Sequence, residues 1–424
     1  MKKAMSVLAL LALVGNVANA ELLKNFKYDG KIEVNAYNID NADFNKKLTD
    51  KKGFVDTRVM VNAGFDLNED VNAVVTAVKE NRQYGQNSEN VSDGIGGNGL
   101  LDNVYFEQAY LNLKGVIGID HKLGRQFYGE AGDMVIYYGP RMWPYTSPMS
   151  LTAIDGWTGW YKTNGLGLDW DFNAIIAKQK QATAPNAGKD DINVSGLNVK
   201  TSVKDVNLNA YVYQKNDNNT NLGQNDYLTL LGIRANYAIP QVKNLLVAAE
   251  YDMNMGQETK TDMKHQGYAY KANVDYSMDL YGKLGVNAEY VFQSGDDKAN
   301  TKDESFHAIN SDYRPGIIMG GGYETTLVYA AADGLVTYNV GANWTPSKLE
   351  KLNVAAKYYD FSADNNKNTF AKKHVGSELD VVATWMHSAN VDVKGYYAMF
   401  MPEKKNVVKD DAETMMGAAF VVKF

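Results

Sequence analysis

The chain contains no cysteine and little proline. Without cysteine among its 424 residues, it can form neither a disulfide nor a thiolate metal site. Its 8 prolines are few enough to permit long uninterrupted strands, because proline removes a backbone donor from a sheet. Tyrosine, which favours strands, is frequent by contrast, at 28 residues.

Long hydrophobic runs are also missing. No segment reaches the ~18 consecutive apolar residues that a membrane-spanning helix needs, and the mean hydropathy is −0.38. The net charge of −7 disfavours a nucleic-acid partner, because nucleic acids are bound through basic surfaces. Neither value excludes a membrane-spanning β-barrel, which hides polar side chains in its lumen.

The first 20 residues have the pattern of a secretory signal peptide. Lys2 and Lys3 supply positive charge, residues 5–14 form a short apolar stretch, and Ala-Asn-Ala at 18–20 is a small-residue cleavage site. We therefore predict a signal peptide over residues 1–20 and a mature chain that leaves the cytoplasm.

Apolar and polar residues alternate along much of the remaining chain. Residues 166–176, 268–278 and 336–344 each place apolar side chains on one face and polar ones on the other. Strands of ~10–12 residues exceed the usual length in soluble sheets and match a tilted bilayer crossing. The alternation therefore indicates an antiparallel barrel with its apolar face outward.

The connections between these strands alternate between short and long. Short joins are predicted at 68–70, 114–116, 164–165, 204–205, 240–243, 279–281, 346–351 and 388–390. Long polar connections are predicted at about 40–53, 84–101, 127–150, 179–191, 216–226, 255–266, 294–334, 363–373 and 401–412. Short periplasmic turns and long external loops are typical of outer-membrane barrels. We predict an all-β barrel of about 18 strands over residues 21–424, or of 16 or 20 if one hairpin is missed or added.

The final strand ends in an aromatic residue. Counting back from Phe424, alternate positions hold Val422, Phe420, Ala418 and Met416. An apolar row that ends in a terminal aromatic residue is typical of the strand that closes a bacterial outer-membrane barrel. We predict that the barrel-assembly machinery recognises Phe424.

Several stretches carry a family resemblance. They are Phe-Glu-Gln-Ala-Tyr-Leu-Asn-Leu (106–113) with Leu-Gly-Arg-Gln (123–126), Ser-Gly-Asp-Asp (294–297) with Glu-Ser-Phe (304–306) and Tyr313, and Gly-Ser-Glu-Leu-Asp (376–380). In order and spacing they resemble the alginate-export-type family of outer-membrane porins. The resemblance implies a solute channel of about 18 strands. The family's Phe-Asp-Gly-Val-Arg pattern is here Ile-Asp-Gly-Trp-Thr (154–158), without the arginine, so alginate itself does not follow.

Arginine is rare, and some of the six arginines share the parity of the polar face. The basic positions predicted to face the lumen are Arg58, Arg82, Arg234, Lys271 and Lys357. Arg125 shares the parity of apolar neighbours, so it lines the pore only if a bulge intervenes or if it lies above the membrane. Lumenal arginines offer fixed forks for carboxylate or phosphate groups of a solute. Alternatively, they pair with lumenal carboxylates and brace the wall.

Residues 127–150 form a long connection rich in aromatic side chains and proline. Its candidate functional residues are Tyr137, Tyr138, Arg141, Trp143 and Tyr145. Folded into the barrel, this loop would narrow the channel and offer ring surfaces to sugars. Folded outward, it would pack on the rim. We predict the constriction.

These observations predict a passive porin in the outer membrane of a Gram-negative bacterium. We expect small hydrophilic or anionic solutes, such as sugar acids or oligosaccharides, to diffuse through it, with the lipid bilayer and lipopolysaccharide around it. No cofactor, metal or energy-coupling segment is predicted. A structural or adhesion barrel is the alternative, and an enzyme is a weaker one, because the five histidines lie in no nucleophile or metal motif. Both a monomer and a homotrimer remain open.

Overall fold

A computed structural model describes residues 24–48, 50–83, 104–141, 152–181, 190–219, 224–297, 301–321, 333–365, 371–407 and 409–424. The predicted signal peptide lies outside the described residues, as do Trp143 and Tyr145 of the aromatic loop. Within the described ranges, no helix is long and apolar enough to cross a membrane.

The described residues form 22 strands. In chain order they are β1 (Lys24–Asp40), β2 (Lys52–Asp66), β3 (Val71–Gln83), β4 (Tyr105–Val116), β5 (Ile119–Gln126), β6 (Tyr128–Gly129), β7 (Tyr137–Tyr138), β8 (Ile154–Gly165), β9 (Leu168–Lys180), β10 (Asp190–Val203), β11 (Val206–Asn219), β12 (Gln224–Ala238), β13 (Leu245–Glu258), β14 (Met263–His265), β15 (Tyr268–Asp279), β16 (Gly282–Gln293), β17 (Lys302–Asp303), β18 (Leu335–Pro346), β19 (Leu352–Ser362), β20 (His374–Ser388), β21 (Val391–Pro402) and β22 (Glu413–Lys423). The short strands β6, β7, β14 and β17 lie in long connections, and the other strands form the wall.

Antiparallel pairing runs around the whole wall and closes it. Each wall strand pairs with its neighbours in sequence, and β1 pairs with β22 from Lys31 opposite Lys423 to Asp40 opposite Thr414. For the part of the chain that the structure describes, the result is a closed antiparallel barrel of 18 strands. The predicted fold class and strand number are confirmed.

The connections alternate in length, as predicted, with short turns at one end of the barrel and long loops at the other. Two turns lie further along the chain than the polarity of the sequence indicated, at 117–118 and 166–167 instead of 114–116 and 164–165. Ile117 and Leu166 have φ angles of 51° and 58°, and each precedes a glycine with positive φ. Two consecutive positive φ angles are typical of the type I′ turn, whose twist matches a hairpin. The prediction was wrong there because it followed polarity, and an apolar residue occupies each turn.

Side chains alternate between the outer face and the lumen. On β9, Phe172 and Ile176 face outward, whereas Asp171 and Asn173 line a cavity inside the barrel. The predicted direction of the apolar row is therefore the observed one, because a barrel in lipid presents its apolar residues outward.

Aromatic side chains mark two levels on the outer face. Near the long-loop end, the ring centroids of Tyr270 and Phe292 on adjacent strands lie 4.9 Å apart. Near the short-turn end, Trp344 Nε1 donates to the carbonyl oxygen of Leu280 at 3.2 Å. Aromatic residues at both edges of an apolar band are typical of a membrane-spanning barrel.

The cysteine-free sequence allows a direct test of orientation. With the long loops outside, Lys260→Cys should react with a membrane-impermeant maleimide on intact cells. Lys348→Cys, in a short turn, should react only after the outer membrane is permeabilised. Both positions are exposed, so accessibility to water is matched. The reverse labelling pattern would invert the assignment of the two ends.

Phe424 completes the seam between the first and last strands. Its amide nitrogen donates to Gly30 O at 3.1 Å, and Gly30 N donates to Phe424 O at 2.9 Å. The phenyl ring lies directly against Gly30, where even a methyl group would clash with the ring. The terminal residue therefore contributes both backbone and side-chain contacts to closure.

Deletion of Phe424 should impair assembly, because it removes two seam hydrogen bonds and the ring that covers Gly30. We expect a lower outer-membrane yield and loss of the heat-modifiable band in unheated gel samples. Phe424→Tyr, which keeps the ring and the backbone, should assemble normally. Equal yields of folded barrel from the deletion and from Phe424→Tyr would contradict the role given to the terminal residue.

Candidate functional site

Two long connections send segments into the barrel. The first segment covers the described residues 127–141, and the second covers 304–321. Met134, Val135 and Ile136 of the first segment are fully buried. They pack against lumen-facing side chains of several wall strands, among them Ile154, Ile175, Val194, Leu228, Leu230 and Val291. These segments, hereafter the first and second inward segments, occupy the interior where a constriction was predicted.

The two inward segments are hydrogen-bonded to each other. Ile136 and Asn310 form a parallel bridge, and Tyr137 N donates to Asn310 O at 2.8 Å. Next to this bridge, Ile309 N donates to Val135 O at 3.0 Å. The segments therefore form one layer, and a displacement of either strains the other.

An arginine of the wall holds the first inward segment. Both terminal nitrogens of Arg234 on β12 donate to the carboxylate of Asp133, at 2.7 and 2.8 Å. Arg234 also contacts Glu250 on β13 at 2.7 Å and stacks over the ring of Tyr211, 4.8 Å from its centroid. Bidentate pairing of this kind fixes both position and orientation.

Asp133 also organises its own loop. Its Oδ1 accepts hydrogen bonds from Val135 N at 2.7 Å and from Ile136 N at 3.1 Å. Its backbone oxygen accepts a hydrogen bond from Asp312 N of the second inward segment at 2.8 Å. Asp133 thus joins the wall to the first segment through its carboxylate, and the first segment to the second through its backbone oxygen.

Wall carboxylates hold the second inward segment. Glu378 Oε1 accepts from Ile318 N at 2.7 Å, and its Oε2 accepts from Met319 N at 3.0 Å. Asp380 Oδ2 accepts from Ile317 N at 3.1 Å. These two residues of β20 satisfy consecutive amide groups of an irregular segment, which would otherwise be unpaired inside the barrel.

Arg58 braces the wall. Its Nε donates to Glu33 Oε2 on the neighbouring strand at 2.6 Å, and its NH1 donates to Arg141 O at 3.1 Å. Only 1% of the Arg58 side chain is exposed, so it is closed to a passing solute. Of the two roles considered from the sequence, its geometry matches the brace.

In three other ion pairs of the lumen the cation is the more exposed partner, whereas in Lys200–Glu130 the carboxylate is more exposed, at 81% against 50%. The exposed fractions of cation and carboxylate side chains are 23% and 7% for Arg234–Asp133, 21% and 7% for Arg141–Asp312, and 22% and 16% for Lys271–Glu289. A solute in the lumen therefore meets nitrogen atoms more readily than carboxylate oxygens at these positions.

The remaining predicted basic residues divide into three cases. Lys357 faces the lumen, with Nζ 5.1 Å from the centroid of the Tyr359 ring. Arg82 lies in β3 opposite Thr57, and its side chain is outside the described residues. For Arg125, the structure corrects the prediction of a pore-lining residue. Arg125 has the parity of Leu123, which faces outward.

Arg125 belongs to an outward-facing group of charges at the loop ends of β4, β5 and β8. Its NH1 contacts Asp155 at 2.9 Å, and its NH2 contacts Glu107 at 3.3 Å. Further along this face, Lys178 contacts Asp191 at 2.9 Å. No bulge turns Arg125 inward, so it does not line the pore.

The aromatic residues of the first inward segment support the loop. Tyr138 OH donates to Gln179 Oε1 on β9 at 2.9 Å, and Tyr137 OH donates to Pro140 O at 2.9 Å. Burial raises the pKa of Tyr137 to about 12, so its hydroxyl stays neutral. Both rings are buried, so the expected stacking surface for sugars is not formed by Tyr137 or Tyr138.

Comparison with known proteins shows the fold. No protein-family profile matches the sequence, and no curated protein sequence matches it. Among solved structures, three proteins of Pseudomonas aeruginosa are similar across almost the whole chain. OccD3 (OpdP) is 10% identical, with 95% of this chain and 92% of that chain covered and a TM-score of 0.58.

Two further structures are similar over almost the whole chain as well. OpdQ is 11% identical, with 95% and 98% of the two chains covered and a TM-score of 0.59. The outer membrane protein OprD is 11% identical, with 96% of each chain covered and a TM-score of 0.55. These comparisons show that the chain shares the barrel fold of these proteins. They do not support the resemblance to the alginate-export-type family.

Asp133→Asn should loosen the first inward segment and leave the wall intact. Breaking a buried ion pair costs about 3–5 kcal/mol, which corresponds to at least roughly a hundredfold loss of amide protection. Hydrogen–deuterium exchange should accelerate at residues 132–137, with unchanged heat modifiability. Asp275→Asn removes a lumenal carboxylate near the short-turn end of β15, where it accepts from Asn273, and should leave exchange in the first inward segment unchanged. Full protection in Asp133→Asn would show that apolar packing alone holds the segment.

Proposed function

We propose that this protein is an outer-membrane porin through which small hydrophilic solutes diffuse passively, with a preference for anions. The observation that carries the proposal is the greater exposure of the cations in the ion pairs of Arg234, Arg141 and Lys271. Similarity to barrels such as the outer membrane protein OprD supports the location and the class.

Barrel size favours diffusion. Barrels of 16–18 strands leave an aqueous channel, whereas barrels of about eight strands fill their interior with side chains. Inward loops that line part of such a channel reduce its width and select among solutes. The alternation of apolar outer and polar inner rows is what a water-filled lumen in a bilayer requires.

The chemistry of the exposed groups favours carboxylate-bearing solutes. A guanidinium presents a planar fork that matches a carboxylate, and a lysine adds a mobile point charge. Oligosaccharides are less well supported than small acids, because the rings of Tyr137 and Tyr138 are buried. Alginate is not part of the proposal.

Lipopolysaccharide is the proposed neighbour at the loop end of the barrel. The outward pairs Arg125–Asp155 and Lys178–Asp191 lie beyond the apolar rows of their strands. Alternating charges at that level suit a headgroup layer that carries phosphates and bound cations. We also propose that the barrel-assembly machinery recognises Phe424.

Removal of the exposed cations should shift ion selectivity. A unit charge about 8 Å from a permeating ion contributes about 0.5 kcal/mol in water, which is about twofold in local concentration. The triple variant Arg141→Gln, Lys271→Gln, Lys357→Gln should therefore lower the chloride-to-potassium permeability ratio several-fold. The measurement is the reversal potential of purified protein in a planar bilayer at low salt, where screening is weak.

Arg125→Gln is the matched control, because it removes an equally permanent charge from the outer face. Its reversal potential should equal that of the unchanged protein. An unchanged reversal potential in the triple variant would contradict the proposed anion preference. Folded protein that inserts without conducting would contradict the porin itself and favour a structural or adhesion barrel.

A further inference from the structure

Two histidines and an aspartate converge at the loop end of the barrel, where the second inward segment begins. His265 ends β14 and lies opposite Asp303 of β17 in a short parallel pair, and His307 follows four residues later. Asp303 Oδ2 lies 3.1 Å from His265 Nδ1 and 2.7 Å from His307 Nε2. The ligand atoms that the three residues offer all lie within 4.8 Å of one another.

Neighbouring groups hold each of these side chains in place. Ser305 N donates to Asp303 Oδ1 at 3.2 Å, which leaves Oδ2 directed at both imidazoles. Asp226 Oδ1 lies 2.6 Å from the other ring nitrogen of His265. The side chain of Asn254 hydrogen-bonds both the N–H and the C=O of His307, at 2.7 and 2.9 Å.

The side chains around the two histidines carry a net negative charge, which favours a bound cation. Asp226 and Asp303 carry two negative charges beside two imidazoles, and Asp217 and Glu258 line the adjoining cavity of about 380 Å³. Only one basic side chain, Lys215, shares that cavity among the residues described around it. A divalent cation would neutralise both aspartates, whereas a protonated histidine neutralises one.

We propose that His265 Nδ1, Asp303 Oδ2 and His307 Nε2 bind a divalent first-row transition-metal ion, with Zn²⁺ as the representative. Two imidazoles and one carboxylate form a donor set that suits Zn²⁺ and disfavours Mg²⁺ and Ca²⁺, which prefer oxygen ligands. The fourth position opens onto the cavity, where water or a solute carboxylate completes the coordination.

The nitrogen–oxygen distances fit a zinc ion after a small adjustment, and the ligand nitrogens of the two histidines lie within 4.8 Å of each other. Tetrahedral ligand atoms about 2.0–2.1 Å from zinc lie roughly 3.3 Å apart. The two observed nitrogen–oxygen distances, 3.1 and 2.7 Å, need to widen by a few tenths of an ångström. Asp226 acts as the outer carboxylate that orients a metal-bound histidine through its second nitrogen.

Metal binding at this site would hold the first residues of the second inward segment in place. Phe306 directly precedes the ligand His307 in the chain. Its side chain is buried against wall residues and the first inward segment. A metal that joins Asp303 and His307 to His265 therefore fixes the point at which the segment enters the barrel.

Calorimetric titration of the full chain in detergent with Zn²⁺ tests the site. We expect one Zn²⁺ per chain and loss of this binding in the double variant His265→Gln, His307→Gln. Asp226→Asn, which keeps all three ligands, should weaken binding roughly 10–100-fold. Millimolar Ca²⁺ or Mg²⁺ should not displace the zinc.

His374→Gln is the matched control, because His374 also lies between two carboxylates, Asp360 at 3.2 Å and Glu403 at 3.1 Å, but has no second histidine. It should bind Zn²⁺ like the unchanged protein. Heat modifiability reports whether each variant is folded. Zinc binding that survives in the folded double variant, or no binding by the unchanged protein, would show that the cluster is only an ion-paired brace. Neither result depends on conductance, so the porin proposal is tested separately.

Discussion

Closure of the sheet is the constraint on which the rest of the molecule depends. In a bilayer each unpaired N–H or C=O group costs several kcal/mol, so β1 and β22 must pair and remove both edges. Once the wall is closed, the period of two sends every second side chain to lipid and the others to the lumen. The hydrogen bonds between Gly30 and Phe424 help to keep the wall closed. They therefore help to keep the apolar exterior separate from the charged interior.

A closed wall of this size encloses more space than its own side chains fill, and the inward segments use part of that space. Their hold on the wall is polar at a few points and apolar between them. Arg234 fixes Asp133, Glu378 and Asp380 fix 317–319, and buried aliphatic residues such as Val135 fill the gaps. Because the two inward segments also hydrogen-bond to each other, they form one layer.

The wall was predictable from the sequence, and the interior mostly was not. Alternation and join lengths are local signals, so strand number and the lumen-facing parity of Arg58 and Arg234 followed from them. The partner of Arg234 lies 101 residues away in a loop without periodicity, so nothing in the sequence indicated Asp133. Composition revealed that the first inward segment is aromatic, but not that Tyr138 would be buried. The convergence of His265 with His307 likewise depends on how two loops meet.

The position of several lumenal carboxylates follows from the donors and acceptors of the inward segments. An irregular segment inside a barrel carries backbone N–H groups that no neighbouring strand pairs, and these groups need acceptors. Carboxylates accept several hydrogen bonds at once, whereas arginine and lysine accept none. Asp133, Asp312 and Glu378 are therefore drawn under the segments, where they accept from amides such as Gly132 N at 2.9 Å. The arginine partners of Asp133 and Asp312, which are Arg234 and Arg141, are the more exposed members of these two pairs. The anion preference that we propose would follow from this arrangement, although the chain as a whole is acidic.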